Sequence, residues 1–244
     1  MMNGKIAVIA DIHSNLDALE AVLEDARSQG VSEWLCAGDV VGYNACPNEC
    51  VDRIRELGCP VVCGNHDHYC AYNESLAEFH PIAAAVVEWT RDCLTPENAA
   101  WLRALPYSTV QKGITLVHAT LDEPERWGYV FEAVDAEPSF FYQRTQLCFH
   151  GHTHVPAVFE KKAGSVFRYP PNALNFSFGS KYFVNVGSVG QPRDCDRRAS
   201  YCIYDPATRS MDFRRILYDV EAAQERIRRV GLPERLAQRL AQGR

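Results

Sequence analysis

The sequence predicts a single α/β domain that has two packed β-sheets with helices outside them. Three observations predict this fold class: the first seventy residues alternate strand-like and helix-like patterns, the region beyond Leu105 is mostly β, and 47% of the 244 residues are apolar. A chain of this length and composition can bury a sizeable core. No internal repeat or low-complexity linker divides the chain, so we expect one domain over residues 1–244.

The amino-terminal third has the order strand, helix, strand, helix, strand. The predicted strands are 5–10, 34–37 and 60–63, and the predicted helices span 16–26 and 47–57. Apolar residues at helical spacing support both helices, a glycine follows each, and a proline is well placed as the first residue of the second. This order implies a parallel sheet whose functional loops follow the carboxyl ends of the strands.

The rest of the chain begins with two helical patterns and then becomes mostly β. Residues 82–94 have an apolar helical face, and Thr95 and Pro96 are suited to cap and begin the next helix. The predicted strands that follow are 114–117, 147–149, 157–159, 166–167, 182–186, 201–204 and 211–217. Residues 219–244 then predict C-terminal helices, the first of them amphipathic over 220–230.

Charge and hydropathy exclude several classes of protein. Lys and Arg number 25 and Asp and Glu 31, and the resulting net charge of −6 argues against a protein that coats long nucleic acids. No window approaches the roughly 18 consecutive apolar residues of a membrane span. We also expect no secretion signal, and therefore a cytoplasmic protein without membrane association whose ten cysteines are reduced.

Five of the cysteines lie between residues 46 and 70, which raises the alternative of a structural zinc site. Their spacings, Cys46-x3-Cys50 and Cys59-x3-Cys63, differ from the usual two-residue knuckle. Cys50 also lies in a helical pattern, and Cys63 ends an apolar stretch. Burial of these thiols as small apolar side chains is therefore the favoured interpretation.

Polar residues that can bind metals follow five of the apolar strand patterns. They are Asp11-Ile-His13, Gly38-Asp39, Gly64-Asn65-His66-Asp67, His118 and Gly151-His152-Thr-His154. Because the strand ends of one open sheet meet at one edge, residues far apart in the sequence can come together there. A glycine before a ligand lets the backbone turn sharply.

Seven of these residues form a candidate metal set of nitrogen and oxygen donors: Asp11, His13, Asp39, Asn65, His118, His152 and His154. Seven donors exceed the need of one ion and suit two. Asp39 is the expected bridging ligand, because only a carboxylate can offer one oxygen to each ion. Imidazoles and carboxylates without a thiolate fit transition metals better than Mg or Ca. We expect two divalent ions, Mn first, with Fe, Zn, Co and Ni as alternatives.

The five motifs, in this order, resemble those of the calcineurin-like metallophosphoesterase superfamily, most closely its small prokaryotic single-domain phosphodiesterases. Residues 185–193, Asn-Val-Gly-Ser-Val-Gly-Gln-Pro-Arg, are similar to the segment that closes the site in that subgroup. The resemblance implies a four-layer α/β/β/α sandwich with two mixed sheets. It also implies one metal on Asp11, His13, Asp39 and His154, and the other on Asp39, Asn65, His118 and His152.

The resemblance also places His66 beside the metals as the expected catalytic histidine. As an imidazolium it could stabilise charge on the transferring phosphoryl group or protonate the leaving oxygen. Related enzymes have a Gly-Asp-x-x-Asp motif whose second carboxylate lies near this histidine, but this chain has Gly42 at that position. We expect Asp67, or another carboxylate, to orient His66. A role for Asp67 in capping the turn after Asn65 is the alternative.

Two further features concern the substrate. Arg193 is a candidate phosphate-binding residue, with a surface salt bridge as the alternative. Residues 120–145 form a candidate insertion on the substrate side. Its Trp127, Tyr129 and Phe131 are candidates to stack on a nucleobase, and ordinary packing against the body of the domain is the alternative.

The expected function is that of a metal-dependent phosphodiesterase on small nucleotide-like substrates, in which a hydroxide between two metals attacks phosphorus in line. Dinucleoside polyphosphates and phosphoproteins are alternative substrates, because members of the superfamily act on both. A non-catalytic scaffold for protein partners is the alternative of another class, and the complete ligand set argues against it. The expected partner is a small phosphorylated substrate, with no membrane and no long nucleic acid.

Overall fold

The computed structural model describes residues 4–77 and 79–244, which form eleven β-strands and eight α-helices. The strands are β1 (Lys5–Ile9), β2 (Val31–Cys36), β3 (Ser108–Gln111), β4 (Ile114–Val117), β5 (Leu147–His150), β6 (Ala157–Lys162), β7 (Ser165–Tyr169), β8 (Leu174–Asn175), β9 (Lys181–Asn185), β10 (Ala199–Asp205) and β11 (Ser210–Ile216). The helices are α1 (Leu16–Ser28), α2 (Pro47–Leu57), α3 (Asn65–Ala71), α4 (Pro81–Cys93), α5 (Pro96–Arg103), α6 (Ala133–Tyr142), α7 (Val220–Arg229) and α8 (Glu234–Gln242).

The strands form two mixed sheets, as expected. The first sheet has the order β2-β1-β10-β11-β8, in which β1 and β2 are parallel and the other pairs are antiparallel. The second has the order β3-β4-β5-β9-β6-β7, with β4, β5 and β9 parallel to one another. In each sheet, the residues that follow the parallel strands lie at the edge formed by the carboxyl ends of those strands. Ligands bind at this edge in α/β folds.

Three apolar layers separate four layers of secondary structure. Ile6 and Val8 of β1 point into a core shared with the second sheet, whereas Ala7 and Ile9 point into a core shared with helices α1 and α2. This alternation follows from the two-residue period of a strand. A third core joins the opposite face of the second sheet to α6, where Phe140 packs near Phe183. The four-layer α/β/β/α arrangement is therefore confirmed.

The predicted strand 60–63 is wrong in extent. Val61 makes a single parallel bridge with Cys36, and the chain then enters α3, which was not predicted. Pro60 has no N–H to donate to a strand ladder, and the N–H of Gly64 donates to the carboxylate of Asp67 where the helix begins. The metal-capable residues of this motif therefore lie at the start of a helix.

Three other elements were not predicted from the sequence. The short strands β3 and β8 lie at the edges of the two sheets. Helix α6 lies inside the segment 120–145 and contains Pro138. A proline lacks the N–H for a helical hydrogen bond, so its presence argues against predicting a helix from the sequence. The segment 120–145 is thus partly a helix that packs on the second sheet.

The C-terminal helices α7 and α8 form a separate apolar cluster with α4. Ile227 and Leu236 are fully buried in it, and Tyr43, from the loop after β2, packs against it. This packing brings the end of the chain beside a loop that follows a strand of the first sheet. None of the helices in the described residues combines the length and apolarity that crossing a bilayer requires.

The cysteines between residues 46 and 70 are buried or nearly so, as the apolar interpretation expected. Among the described residues, the groups of side chains close enough to share a metal ion contain histidine and aspartate and no cysteine. The structural zinc site is not supported.

Candidate metal centre

Six of the seven predicted ligands converge on one buried point between the sheets' carboxyl edges. Asp11, His13 and His154 offer donor atoms that lie within 4.8 Å of one another, and so do Asp39, His118 and His152. The side chains of all six are almost entirely inaccessible to solvent. The structure therefore brings together residues from four different loops that are up to 143 positions apart in the numbering, from Asp11 to His154.

The first group is held by short contacts between potential ligand atoms. The Nε2 atom of His13 lies 3.0 Å from Nε2 of His154, and Nε2 of His154 lies 3.4 Å from Oδ1 of Asp11. Asp11 is itself fixed, because both of its carboxylate oxygens accept the backbone N–H of His152.

The second group is joined to the first through Asp39. Its Oδ2 atom lies 3.3 Å from Nε2 of His118 and 3.5 Å from Nε2 of His13. The Nδ1 atom of His152 lies 3.2 Å from Nε2 of His118. Asp11 also faces His118, at 4.0 Å, but Asp39 lies closer to histidines of both groups, which is the position expected of a bridging ligand.

Asn65, the seventh predicted ligand, begins α3 next to this point. The backbone N–H of its neighbour His66 donates to Oδ1 of Asp39 at 2.8 Å. The Oδ1 atom of Asn65 is buried and accepts no hydrogen bond among the described residues. A buried oxygen without a donor is costly unless another electrophilic group lies against it, which fits a cation.

A backbone carbonyl fixes the ring of each of the four histidines. Nδ1 of His13 donates to Val41 O at 3.0 Å, Nδ1 of His118 to Ala37 O at 2.8 Å, Nδ1 of His154 to Gln191 O at 2.6 Å, and Nε2 of His152 to Trp127 O at 2.9 Å. Since a carbonyl only accepts, the proton of each neutral imidazole lies on the nitrogen that faces the carbonyl. This is the arrangement of metal-ligating histidines, whose second nitrogen is held by an outer partner.

The nitrogens that remain therefore point their lone pairs at one another. Nε2 of His13 and Nε2 of His154 are acceptors at hydrogen-bond distance with no proton between them. Such an arrangement is repulsive by itself and becomes favourable when a cation accepts both lone pairs. The donor set, with imidazole, carboxylate and amide groups, consequently fits divalent transition-metal ions.

The pKa shifts agree with this chemistry. Burial lowers the pKa of His13 and His154, and it lowers the pKa of His152 to about 3, so these rings are neutral at pH 7. Burial raises the pKa of Asp11 to about 8. For His118, burial is outweighed by the charge of Asp39, which raises the pKa to about 9. Without a cation the site therefore holds protons that metal ions would displace.

The backbone at the site is strained. Asp11, His13, Asp39, His152 and His154 have φ values between 48° and 70°, a left-handed region that residues other than glycine seldom adopt. Such strain is concentrated at functional sites.

Glycines allow the two carboxylates to pack closely against the chain. A Cβ at Gly151 would collide with the carboxylate of Asp11, and a Cβ at Gly64 would collide with that of Asp39. The glycines that precede ligands in the sequence therefore act mainly by leaving space.

Comparison with known proteins identifies the family. A model of the calcineurin-like phosphoesterase superfamily domain matches residues 5–209. The chain belongs to this superfamily. It is a metallophosphoesterase, and as such a hydrolase of phosphoric esters.

Two proteins are similar to this metallophosphoesterase over its whole length. An uncharacterised protein of Methanocaldococcus jannaschii is 40% identical over 249 residues, covering 100% of both chains. The crystal structure of a metallophosphoesterase from Sphaerobacter thermophilus is 40% identical, with a TM-score of 0.89 over 99% of each chain. A hypothetical protein of Pyrococcus horikoshii has the same fold, with 21% identity and a TM-score of 0.79 over 98% of each chain.

His66 lies beside the metal ligands of the metallophosphoesterase, as expected. It is buried, it shares a group with His13 and Asp39, and its Nδ1 atom has no hydrogen-bond partner among the described residues. Burial lowers the pKa of His66 to about 4. The ring is thus neutral at pH 7 in the protein without substrate.

The hypothesis that Asp67 orients His66 is not supported by the contacts. Oδ1 of Asp67 accepts the backbone N–H groups of Val40 and Val41 at 2.8 and 3.1 Å, and Oδ2 accepts that of Gly64 at 3.1 Å. These bonds use the carboxylate to tie the loop that carries Asp39 to the start of α3. The alternative role, a cap, describes Asp67 better.

Sequence reasoning missed Tyr43 as the neighbour of His66. Its ring centroid lies 4.3 Å from that of His66 and 4.7 Å from that of His13. Gly42, which replaces the carboxylate of related enzymes, has a φ of 100°, and a Cβ there would lie 2.5 Å from Nδ1 of His66. The Gly42-Tyr43 pair at the position of the missing carboxylate is the signal that could have indicated this contact.

Arg193 faces the same region. Its guanidinium lies 5.4 Å over the ring of Tyr43, and one of its amino groups donates to Oε1 of Gln191 at 3.0 Å. Its Nε atom is buried without a partner, and it forms no ion pair among the described residues. Within the described residues, Arg193 therefore does not form the surface salt bridge that was the alternative to phosphate binding.

An aromatic surface borders the second ligand group. The ring of Tyr129 stacks on that of His152 at 4.2 Å, and Phe131 is nearly parallel to Tyr129 at 5.8 Å. Tyr129 is 56% exposed and Phe131 48% exposed, whereas the partly buried Trp127 packs near His118 and Tyr107. Ordinary packing thus accounts for Trp127 and does not account for Tyr129 and Phe131.

Proposed function

We propose that this metallophosphoesterase is a phosphodiesterase that acts on small nucleotide-like substrates with two divalent metal ions, of which Mn is the first candidate. The observation that carries the proposal is the convergence of imidazole nitrogens on Asp39, since Nε2 of His13 and Nε2 of His118 both approach Oδ2 of the same carboxylate. When bound, two ions would lower the pKa of a water between them and stabilise charge on the phosphoryl oxygens.

The proposed roles of the ligands follow the two groups. Asp11, His13 and His154 would hold one ion, and Asn65, His118 and His152 the other, with Asp39 shared. The backbone carbonyls opposite the four histidines would hold each ring in the orientation that turns its other nitrogen toward the ions. The scaffold alternative has less support, because it needs neither this ligand set nor the buried His66.

The protein side chains near the ions would position the phosphoryl group. Arg193 is the proposed cationic contact, because its guanidinium is free of carboxylate partners in the described residues and can form paired hydrogen bonds with phosphate oxygens. His66 would donate a proton to the leaving oxygen once the bound phosphate raises its pKa from about 4.

The exposed aromatic pair supports the nucleotide-like substrate class. Tyr129 and Phe131 offer large exposed ring surfaces directly beside His152. Aromatic side chains stack on nucleobases independently of base identity. No comparable observation in the described residues favours a phosphoprotein substrate.

Hydrolysis of bis-p-nitrophenyl phosphate tests the proposal. The protein is stripped with a chelator, reloaded with Mn²⁺, Fe²⁺ or Zn²⁺, and compared with an Asp39→Asn variant treated in the same way. We expect activity that depends on added metal and is lost in Asp39→Asn. Equal rates in the stripped and loaded proteins, or full activity of the variant with every metal, would contradict the proposed mechanism.

A further inference from the structure

A basic cavity of about 570 Å³ lies on the other side of Tyr43 from the metal centre. Helix α8 supplies Arg235 and Arg239 to its wall, Arg244 follows that helix, and the start of α4 supplies His80 and Ile82. No aspartate or glutamate side chain of residues 4–77 and 79–244 lines the cavity. In a protein with a net charge of −6, a cavity with three arginines and no acidic side chain is a local reversal of charge.

The arginines of the cavity differ from those nearby on α7. Arg226 is paired with Asp17 at 3.0 Å and Arg228 with Glu234 at 2.9 Å. Arg235 forms no ion pair in residues 4–77 and 79–244, whereas the Nε atom of Arg239 donates to the terminal carboxylate of Arg244 at 2.7 Å. Arg235 is thus a charged group without a counter-charge beside the cavity, which favours an anionic ligand.

One side chain, Tyr43, lies between the cavity and the active site. Tyr43 lines the cavity, and the same ring contacts His13 and His66 and lies under the guanidinium of Arg193. Burial and the charge of Arg193 lower the pKa of Arg239, in agreement with the proximity of these two arginines. A ligand that spans Tyr43 could therefore touch the metal centre and the cavity together.

We propose that this cavity binds a second phosphate group of the substrate, distal to the phosphoryl group that is cleaved. This inference rests on the proposed phosphodiesterase function and adds a specificity element to it. The cavity's arginines lie beyond residues 5–209, the part that matches the superfamily domain. The C-terminal helices would thus select substrates with more than one phosphate, such as dinucleoside polyphosphates.

The test compares substrates with and without additional phosphates. The Mn-loaded protein, the double variant Arg235→Gln/Arg239→Gln and the control Arg229→Gln, an exposed arginine of α7 outside the cavity, are assayed on bis-p-nitrophenyl phosphate and on diadenosine tri- and tetraphosphate. We expect the double variant to lose about 10-fold or more in kcat/KM on the polyphosphates, because charge-assisted hydrogen bonds are lost. Its rate on bis-p-nitrophenyl phosphate should match those of the wild type and the control.

Other outcomes separate the inference from the function on which it rests. Equal losses on both substrate types, or no loss on either, would overturn the inference while leaving phosphodiesterase activity intact. If wild-type protein hydrolyses no phosphodiester, the proposed function fails. The cavity is then tested by calorimetric titration of the full chain with inorganic triphosphate, where binding equal in wild type and double variant overturns the inference.

The alternative ligand of the cavity is a free phosphate-containing anion that is not part of the substrate. If inorganic triphosphate alters the wild-type rate on bis-p-nitrophenyl phosphate and the double variant loses only this response, the cavity is an effector site. That result would overturn the assignment to the substrate.

Discussion

The Nε2 atoms of His13 and His154 lie 3.0 Å apart, while the Nδ1 atom of each donates to a backbone carbonyl. The two rings come from loops at opposite ends of the ligand set in the sequence, and both backbones are in the left-handed region. The folded chain thus places the Nε2 lone pairs of His13 and His154 face to face before any ion binds. Preorganisation of this kind lowers the ordering cost of binding and destabilises the protein without its metal.

Acid should destabilise the metal-free protein. Burial lowers the pKa of five imidazoles below the usual 6.5, and it raises the pKa of two carboxyls above 3.8: His13, His66, His150, His152 and His154, and Asp11 and Asp67. Between about pH 6 and pH 4.5 the unfolded chain therefore binds about three protons more than the folded chain does. Since stability falls with acidification wherever the unfolded state binds more protons, the free energy of unfolding should fall at up to about 4 kcal/mol per pH unit.

Urea denaturation in the presence of a chelator, at pH 6 and pH 5, measures this effect. The raised pKa of the two carboxyls acts in the opposite direction, because their protons already bind the folded state in this range. A free energy of unfolding that is constant or that increases on acidification would show that the imidazoles are not neutral in the fold.

Replacing His66 should affect catalysis and leave metal binding intact. We expect His66→Asn to lower kcat by about 10²- to 10⁴-fold, because a proton donor to the leaving oxygen is lost, with metal content equal to that of the wild type by elemental analysis. His68→Asn is the matched control on the same helix, since His68 bonds Glu74 and Tyr107 away from the ligands. Loss of an ion in His66→Asn would mean that His66 is a ligand.

Asp67→Asn should weaken the fold more than it alters the chemistry. An amide has one acceptor oxygen, so it cannot accept the N–H groups of Val40, Val41 and Gly64 together. We expect the free energy of unfolding to fall by about 1–3 kcal/mol, with the shape of the pH profile of kcat/KM unchanged. Asp135→Asn, which removes the capping carboxylate of α6 near the surface, should cost less. A pH profile displaced in Asp67→Asn alone would restore the orienting role.

Tyr129 should contribute to the binding of nucleosides. We expect Tyr129→Ala to raise KM for thymidine 5′-(p-nitrophenyl phosphate) by roughly 5- to 100-fold, the range that stacking on one base supplies. KM for methyl p-nitrophenyl phosphate, which has the same leaving group and no nucleoside, should change little. Phe141→Ala, at an aromatic residue of α6 that is 69% exposed, serves as the control. Equal effects on both substrates would remove the support for a nucleotide-like substrate.

The sequence predicted which metal-capable residues come together better than it predicted their surroundings. Histidines and aspartates that follow strand ends, such as His118 and Asp39, are positioned by sheet topology, which strand patterns reveal. The atoms that fix the rings are carbonyl oxygens of residues such as Ala37 and Gln191. Every residue has a carbonyl, so no residue type indicates which one will meet a histidine.

The parts of the fold that escaped prediction have local causes. Pro138 interrupts the helical pattern of α6, and the capping role of Asp67 depends on amides of a loop 26 residues or more away. The basic cavity depends on α8 packing beside Tyr43, which is distant in sequence. Such contacts are set by tertiary packing and leave no short-range pattern.

Anomalous diffraction from crystals grown with Mn²⁺ tests the central claim, two ions shared by one carboxylate, most directly. We predict two manganese peaks about 3.5–4 Å apart, one beside Asp11, His13 and His154 and the other beside Asn65, His118 and His152. Asp39 should contact both peaks, and crystals of Asp39→Asn should lose at least one of them. A single peak in the wild-type protein, or manganese bound only away from these side chains, would contradict the account.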